Sequence, residues 1–142
     1  MIKLVTFDES LAALAKIEPT SGLGAALAHC AQSIDYSRTG FPTQRGFLVR
    51  KLIAPLLLRK YLRQGFMTHD VNAPIPLAPA ISPTLPFEEG VAKLRGAMER
   101  FRAHAGPLAP HFAFGEISRD DYERLHAMHL ADHLSSSAAN RS

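Results

Sequence analysis

The chain has 142 residues, of which 46% are hydrophobic and 20% are charged, and its formal net charge is +3. This length and composition are typical of one globular domain with a single core, and they exclude a collagenous, disordered or disulfide-rich protein. The lone cysteine, Cys30, cannot form an intramolecular disulfide and suits a reducing compartment. We therefore expect a cytoplasmic protein with no secretion signal and no apolar run long enough to span a membrane.

Capping residues and prolines predict two helices at the start of the chain. Thr6 and Glu9 have the spacing of a capping box, and the short helix that they begin is stopped by Pro19. A second helix is predicted over about residues 22–38. His29 lies at the edge of its apolar stripe, a position from which a side chain can still face the interior of a helical bundle.

Residues 45–63 form a basic stretch that is predicted to be helical at least in part. Pro55 would kink this helix or mark a new start. No acidic residue occurs between Tyr36 and His69, and such a run is most often a solvated face. Its functional alternatives are nucleic-acid binding, which the scarcity of interleaved aromatic residues disfavours, and an anion site. The candidate residues for the anion site are Arg45, Arg50 and Lys51.

The segment Val71–Phe87, called the strap below, holds five of the ten prolines of the chain. Proline has no amide hydrogen and disfavours helix, so the strap is predicted to be extended. Its apolar residues argue against a free linker, and we expect it to lie on the bundle surface and to line the mouth of the site. A further helix is predicted from Phe87 to His104.

The last predicted helix, Ser118–Leu134, carries the most informative pattern in the chain. Ser118 and Asp121 have the spacing of a capping box, which predicts where this helix begins. Successive residues of an α-helix are rotated by about 100° about its axis, and this places three imidazoles on the same face as the apolar side chains. These imidazoles are those of His126, His129 and His133.

Histidines on a buried face need partners, because each imidazole has two nitrogens that must be satisfied away from water. His129 and His133 are four residues apart, so their side chains are neighbours and can bind one metal ion. They can equally form hydrogen bonds to neighbouring helices or lie at a wet end of the bundle. A third histidine on the same face, and another on an earlier helix, favour a metal site.

Together these elements predict an all-α protein, a four-helix bundle with a long crossover between helices 2 and 3. The crossover consists of the basic helical excursion and the strap. Residues 1–134 are predicted to form a single domain, and the polar residues 135–142 a disordered tail.

Three segments of the chain resemble the DinB/YfiT-like metalloenzyme superfamily, and are closest to its small branch of uncharacterised DinB-related bacterial proteins. The segments are LAHCAQSIDYSRTGFP (residues 27–42), HFAFGEIS (residues 111–118) and LHAMHLADHL (residues 125–134). The resemblance implies a divalent metal held by three histidines. Carried onto this chain, the ligand positions are His29, His129 and His133.

The resemblance implies nickel, zinc or iron without choosing among them, and it implies a low-molecular-weight thiol as a cofactor, because characterised relatives use such thiols. Three neutral imidazoles would leave positions on the ion open, as a catalytic site requires. Gln32 and Asp132 lie three residues from His29 and His129 respectively, where they could orient those rings. His126 is placed to support the ligands, to shuttle protons or to pack in the core.

We therefore predict a metal-dependent enzyme, a thiol S-transferase or a related small-molecule transferase, isomerase or hydrolase. The alternative is a non-catalytic helical protein, stress-associated or an assembly module, whose histidines are structural or vestigial. The expected partner is a small-molecule substrate, with no nucleic acid and no membrane. A homodimer is also expected, because related bundles have apolar faces to pair.

Overall fold

The computed structural model describes residues 1–140, and most of these residues are helical. Within these residues, five α-helices follow one another, namely α1 (Phe7–Leu14), α2 (Leu23–Thr39), α3 (Ala54–Gln64), α4 (Phe87–Ala103) and α5 (Arg119–Ala139). A π-helical segment, Val49–Ile53, leads into α3. Within the described range, the only strand-like pairing is an isolated bridge between His111 and Gly115. The prediction of an all-α protein is confirmed for this range.

The helix ends use the capping residues that the sequence offers. The Thr6 hydroxyl accepts a hydrogen bond from the Glu9 amide, and the Glu9 carboxylate accepts one from the Thr6 amide, which completes the predicted capping box of α1. α2 ends at Gly40, where φ is 104°, a conformation that favours glycine. At the start of α5, the Ser118 hydroxyl accepts from the Asp121 amide at 3.2 Å, which is one half of the predicted box.

Four of the helices surround the main hydrophobic core. α2 packs against α4 and α5, and α1 packs against the same two helices. Leu27, Leu94 and Tyr122 are fully buried between them. α3 packs separately on α5, through a smaller cluster that includes Tyr61 and Met128. As a result, α5 lies between the main core and α3.

α2 and α4 cross closely because glycines lie at their contact. Gly24 faces the backbone of Leu85 and Pro86, and Gly90 faces the backbone of Gly24. A Cβ atom at either glycine would collide with a main-chain oxygen. The crossing therefore presses the end of the strap against the first turn of α2.

The last helix is longer than predicted. α5 continues to Ala139, so the prediction of a disordered tail was wrong for residues 135–139. The Ser135 hydroxyl accepts a hydrogen bond from the Ile2 amide at 2.9 Å, so a polar side chain of this extension is tied to the start of the chain. This tertiary contact explains why a polar composition did not produce disorder. The end of the predicted tail, residues 141–142, lies outside the described residues.

The basic stretch is helical in part, as predicted. Pro55 lies in the first turn of α3, where a missing amide hydrogen is no loss. Five apolar side chains before and just after it are 63% to 67% exposed, and they are those of Phe47, Leu48, Leu52, Ile53 and Leu56. In the part of the chain that the structure describes, no helix has both the length and the apolar content that crossing a membrane requires.

Candidate metal centre

Four histidines converge between α2, α5 and the segment that leads into the strap. His29 comes from α2, His129 and His133 come from α5, and His69 comes from the connection between α3 and the strap. Each offers one ring nitrogen, and these four atoms lie within 4.8 Å of one another. The structure thus brings the three predicted histidines together and adds a fourth.

The geometry of α5 positions the first two of these side chains. His129 and His133 lie one turn apart on the same helix face, and their Nε2 atoms are 3.2 Å apart. Two nitrogens that bind one tetrahedral ion at about 2.1 Å are separated by about 3.4 Å. The two rings can therefore share a hydrogen bond, or they can bind one ion with almost no movement.

His29 reaches this pair from the neighbouring helix. The centre of its ring is 5.1 Å from that of His129 and 5.1 Å from that of His133, with the rings edge to face. In the sequence, His29 lies on the edge of the apolar stripe of α2. The packing of α2 against α5 turns this edge toward the α5 histidines.

His69 is held in place by Asp132. The Asp132 carboxylate accepts a hydrogen bond from His69 Nδ1 at 2.7 Å and another from the His69 amide at 3.0 Å. Since Nδ1 carries the proton, Nε2 is left as an acceptor, and this atom is buried without a hydrogen-bond partner within residues 1–140. A buried acceptor left unpaired costs about 1–3 kcal/mol.

A metal ion would satisfy His69 Nε2. Histidines that bind metals commonly donate their other ring N–H to a carboxylate, which is the arrangement of His69 and Asp132. Two nitrogens bound at about 2.1 Å lie no more than about 4.2 Å apart, so the most separated histidines would close slightly on binding. Imidazole donors suit zinc, nickel, iron and copper, whereas magnesium and calcium prefer oxygen.

Burial favours the neutral form of three of the clustered histidines. It lowers the pKa of His29 from 6.5 to about 4, with a further contribution from the neighbouring His69. Burial likewise lowers the pKa of His133 to about 3 and holds the pKa of His129 well below its usual value. Neutral imidazole is the form that binds metal ions. These three rings are therefore ready to act as ligands at neutral pH.

A cleft of about 440 Å³ opens beside the cluster. His29 and His133 lie in its lining, α2 forms one wall, and the strap forms another. The Gln32 side-chain amide donates a hydrogen bond to the Pro79 carbonyl at 3.0 Å, which ties the strap to α2. The strap therefore lines the mouth of the site, as its composition predicted.

Two residues that were expected to orient the ligands have different partners. Asp132 holds His69, although it was expected to hold His129. Gln32 holds the strap, although it was expected to hold His29. Both side chains point to the crossover, whose path over the bundle could not be derived from helix periodicity.

His126 packs in the aromatic part of the core. Its ring stacks on Tyr122 with 5.2 Å between the ring centres, and it also contacts Phe7 and Phe101. Burial lowers the pKa of His126 to about 3, and its Nε2 atom has no hydrogen-bond partner among the residues described. The sequence allowed three roles for His126, namely support of the ligands, proton shuttling and packing in the core. These contacts are those of a residue that packs in the core.

The three candidate anion-binding residues lie elsewhere. The Arg50 side chain donates a hydrogen bond to the Arg45 carbonyl at 2.8 Å, and the Arg45 guanidinium lies 5.8 Å from the centre of the Phe112 ring. The Lys51 side chain is exposed. Among the residues for which the structure gives positions, none of these three lines the cleft. An anion site formed by them stays a prediction.

Sequence reasoning missed His69 because this residue belongs neither to a helix nor to a motif. One signal could have found it. His69 lies two residues before the strap, which was itself predicted to line the site. An imidazole at that position is carried to the mouth of the site along with the strap.

Comparison with known proteins identifies a family but no activity. The family model described as "Protein of unknown function (DUF1569)" matches residues 15–140. The matched range contains all four histidines of the cluster. No match was found among curated proteins or among solved structures.

Proposed function

This chain belongs to the DUF1569 family, whose model covers most of it, and we propose that it is a metal-dependent enzyme with a histidine-rich divalent metal centre. In this proposal His29, His129 and His133 bind the ion from two helices. His69 binds it from the connection that leads into the strap, and the cleft admits a small-molecule substrate.

The observation that carries the proposal is the state of His69. Its Nδ1 is engaged by a carboxylate, and its Nε2 is buried, unpaired and adjacent to three other imidazoles. His126 Nε2 is also unpaired among the described residues, but the His126 ring packs against aromatic side chains. His69 differs because a carboxylate holds its other nitrogen and three imidazoles lie beside it. An ion shared with the other three rings explains the unpaired atom, the carboxylate behind it and the convergence of the cluster.

Each part of the site then has a task. When bound, the metal ion supplies Lewis acidity and lowers the pKa of a water or thiol that binds to it. Asp132 orients His69 and places one negative charge behind it. Gln32 fixes the strap as a wall of the cleft, so that the substrate enters beside His29 and His133.

We further propose that the protein is of the DinB-like type, a thiol S-transferase or a related transferase or isomerase that uses nickel, zinc or iron and a low-molecular-weight thiol. This rests on the resemblance of residues 27–42 and 125–134, which contain three of the four clustered histidines. The corresponding architecture is a four-helix bundle with a long crossover. It is supported by the packing of α1 and α2 against both α4 and α5.

The second candidate is a non-catalytic protein with a structural metal site. It is favoured by the number of histidines, since four protein ligands saturate a tetrahedral zinc ion and structural zinc sites are closed in this way. Nickel and iron accept more ligands than four and would keep a position for substrate. The identity of the metal therefore discriminates between the two candidates.

The first test is elemental analysis of untagged protein purified without added metal. We expect about one metal ion per chain, and we expect its loss from His29→Ala and from His129→Ala. His104→Ala is the matched control, because His104 contacts the Pro107 carbonyl and is not one of the clustered histidines. Metal-free protein that stays metal-free after reconstitution would refute the site.

The second test is activity. Metal-loaded protein is assayed with a panel of low-molecular-weight thiols and electrophilic acceptors, and thiol consumption is followed. We expect turnover that is lost in His129→Ala and retained in His104→Ala. Bound metal without any turnover, and with no thiol able to reach the ion, would favour the structural role.

A further inference from the structure

We propose that the cleft binds a small molecule that is uncharged except for one anionic donor, a thiolate, which it presents to the metal. This inference rests on the proposed metal centre and specifies the class of thiol that the centre accepts. Its basis is the chemistry of the cleft walls, which differs from the chemistry of the basic stretch.

The cleft walls carry no formal charge in the part of the chain that the structure describes. Their lining includes no Asp, Glu, Lys or Arg side chain. The strap contributes prolines and small apolar residues, and α2 contributes alanines and a leucine. Representative wall residues are Ala25, Ala26, Pro74, Pro79, Ala80 and Ile81.

The lining also contains uncharged polar side chains, those of Ser21, Gln32, Asn72, Ser136, Ser137 and Asn140, and two of them are already engaged. The Gln32 amide donates to the Pro79 carbonyl, and the Ser137 hydroxyl pairs with Thr20. A ligand carboxylate in this cleft would lose part of its hydration without meeting a cation among the described wall residues. Desolvation of an unpaired charge is unfavourable, so the walls select against acidic ligands.

The charge of the metal centre sets the number of anionic donors. Four neutral imidazoles add no charge, and the Asp132 carboxylate cancels one of the two positive charges of a divalent ion. One positive charge remains, which a single thiolate neutralises when the thiol releases its proton to solvent. A second anionic group on the ligand would find no positive charge left to pair with it.

The cleft also has a suitable size. Its volume of about 440 Å³ lies within the range of about 300–1,000 Å³ that is usual for small-molecule sites. Arg45, Arg50 and Lys51 are absent from the described lining, so they do not supply a pocket for the carboxylates of an acidic thiol. The thiol that fits is therefore one whose body carries no charge.

The test uses two thiols that differ by one carboxylate. Full-length protein is loaded with Co²⁺ and titrated with benzyl mercaptan or with 4-(mercaptomethyl)benzoate, and binding is followed by the thiolate-to-cobalt charge-transfer absorption. We expect the carboxylate to weaken binding at least tenfold. Equal or tighter binding of the benzoate would overturn the inference.

A charge introduced into the wall should change this preference. Ala80 is exposed and lines the cleft, so Ala80→Lys adds a cation there with little effect on the core, and Ala80→Gln is the matched uncharged control. We expect the lysine to reduce the penalty for the carboxylate to less than threefold and the glutamine to leave it unchanged. An unchanged penalty in Ala80→Lys would contradict the assignment of this wall.

Two further measurements separate the possible failures. Arg141→Gln removes the cation that lies outside the described residues, and loss of the preference in this variant would overturn the inference. Failure to bind cobalt at all would refute the metal centre and, with it, the inference. Cobalt bound by the histidines together with a preference for the acidic thiol would refute the inference alone.

Discussion

Asp132 is the residue through which the crossover is coupled to the histidine cluster. Its carboxylate accepts hydrogen bonds from both the ring and the backbone amide of His69. One side chain of α5 thus fixes the orientation of an imidazole that comes from outside the helices. A carboxylate behind a ligand also raises the basicity of the ring.

Asp132→Asn should therefore weaken metal binding without removing a ligand. We expect affinity to fall about 10–100-fold, the effect typical of losing such a partner. Competition with a chromogenic chelator measures it. If Asp132 acts through His69, the His69→Ala, Asp132→Asn double variant should bind no more weakly than His69→Ala alone. Unaltered affinity in Asp132→Asn would show that the pair has no role in the centre.

His126 makes the stability of the fold sensitive to acid. Its pKa is about 3 in the folded protein because of burial, and its ordinary value is 6.5. Below pH 6.5 the unfolded chain takes up a proton that the folded protein does not. Stability is therefore complete above this pH and falls as the pH is lowered toward 3. Between pH 8 and pH 5 this one residue accounts for a loss of about 2 kcal/mol.

His126→Leu should remove that part of the pH dependence. Urea unfolding of metal-free protein at pH 8 and pH 5 gives the difference in the free energy of unfolding between the two conditions. We expect this difference to be about 2 kcal/mol smaller in the variant, whatever the change in packing does to stability at either pH. Ile34→Val is the control, because it loosens the buried core without removing a titratable group, and it should leave the pH dependence as it is. A pH dependence in His126→Leu equal to that of the unaltered protein would contradict the argument.

At the scale of the elements, the crossing of α2 and α4 decides where the strap lies. Gly24 and Gly90 allow the two backbones to approach closely, and the strap ends at this crossing. The hydrogen bond between Gln32 and Pro79 then holds the strap along α2. The wall of the cleft therefore depends on a contact between helices that lies outside the cleft itself.

Gly90→Ala should destabilise the protein, because the added methyl group would collide with the backbone of Gly24. We expect a loss of about 1–3 kcal/mol, as for other overpacked sites. The matched control is Gly96→Ala in the same helix, where the new methyl group would meet only the flexible end of the Arg100 side chain. That control should be neutral or should gain up to about 1 kcal/mol from helix propensity. Chemical denaturation of both variants measures the two effects, and a Gly90→Ala variant as stable as Gly96→Ala would refute the close crossing.

At the scale of the whole molecule, the histidine cluster joins three segments that are distant in the sequence. Its members come from α2, from the connection before the strap and from α5. A bound ion would therefore link these segments to one another in the folded state. The unfolded chain cannot bring the same four side chains together without a large loss of conformational entropy.

Metal should consequently raise the thermal stability of the protein. At a free metal concentration of 100 times Kd, linkage adds about 2.7 kcal/mol, which corresponds to a rise in Tm of roughly 10 °C for a domain of this size. Calorimetry with Ni²⁺ or Zn²⁺, and with a chelator as reference, measures the rise. His129→Ala should abolish it and His104→Ala should retain it. A Tm that does not respond to metal in the unaltered protein would contradict a site formed only on folding.

The sequence by itself determined the local features of this protein. The capping box of Thr6 and Glu9, the end of α2 at Gly40 and the pairing of His129 with His133 all follow from interactions between residues a few positions apart. Such interactions depend on helix geometry and backbone conformation, which are the same in any fold. The non-helical backbone of residues 71–86 follows from the prolines in the same way, although the strap contains several turns and is not extended as predicted.

Only the tertiary structure decided what depends on the path of the crossover and on the packing of distant segments. His69 and Asp132 are 63 positions apart, and no periodicity relates them. In the helical extension of α5 past Leu134, the Ser135 hydroxyl accepts a hydrogen bond from the Ile2 amide, near the other end of the chain. Local patterns predict which face of a helix is buried. They do not predict which segment of the chain covers that face, and this had to be known to identify His69 as the fourth histidine of the cluster.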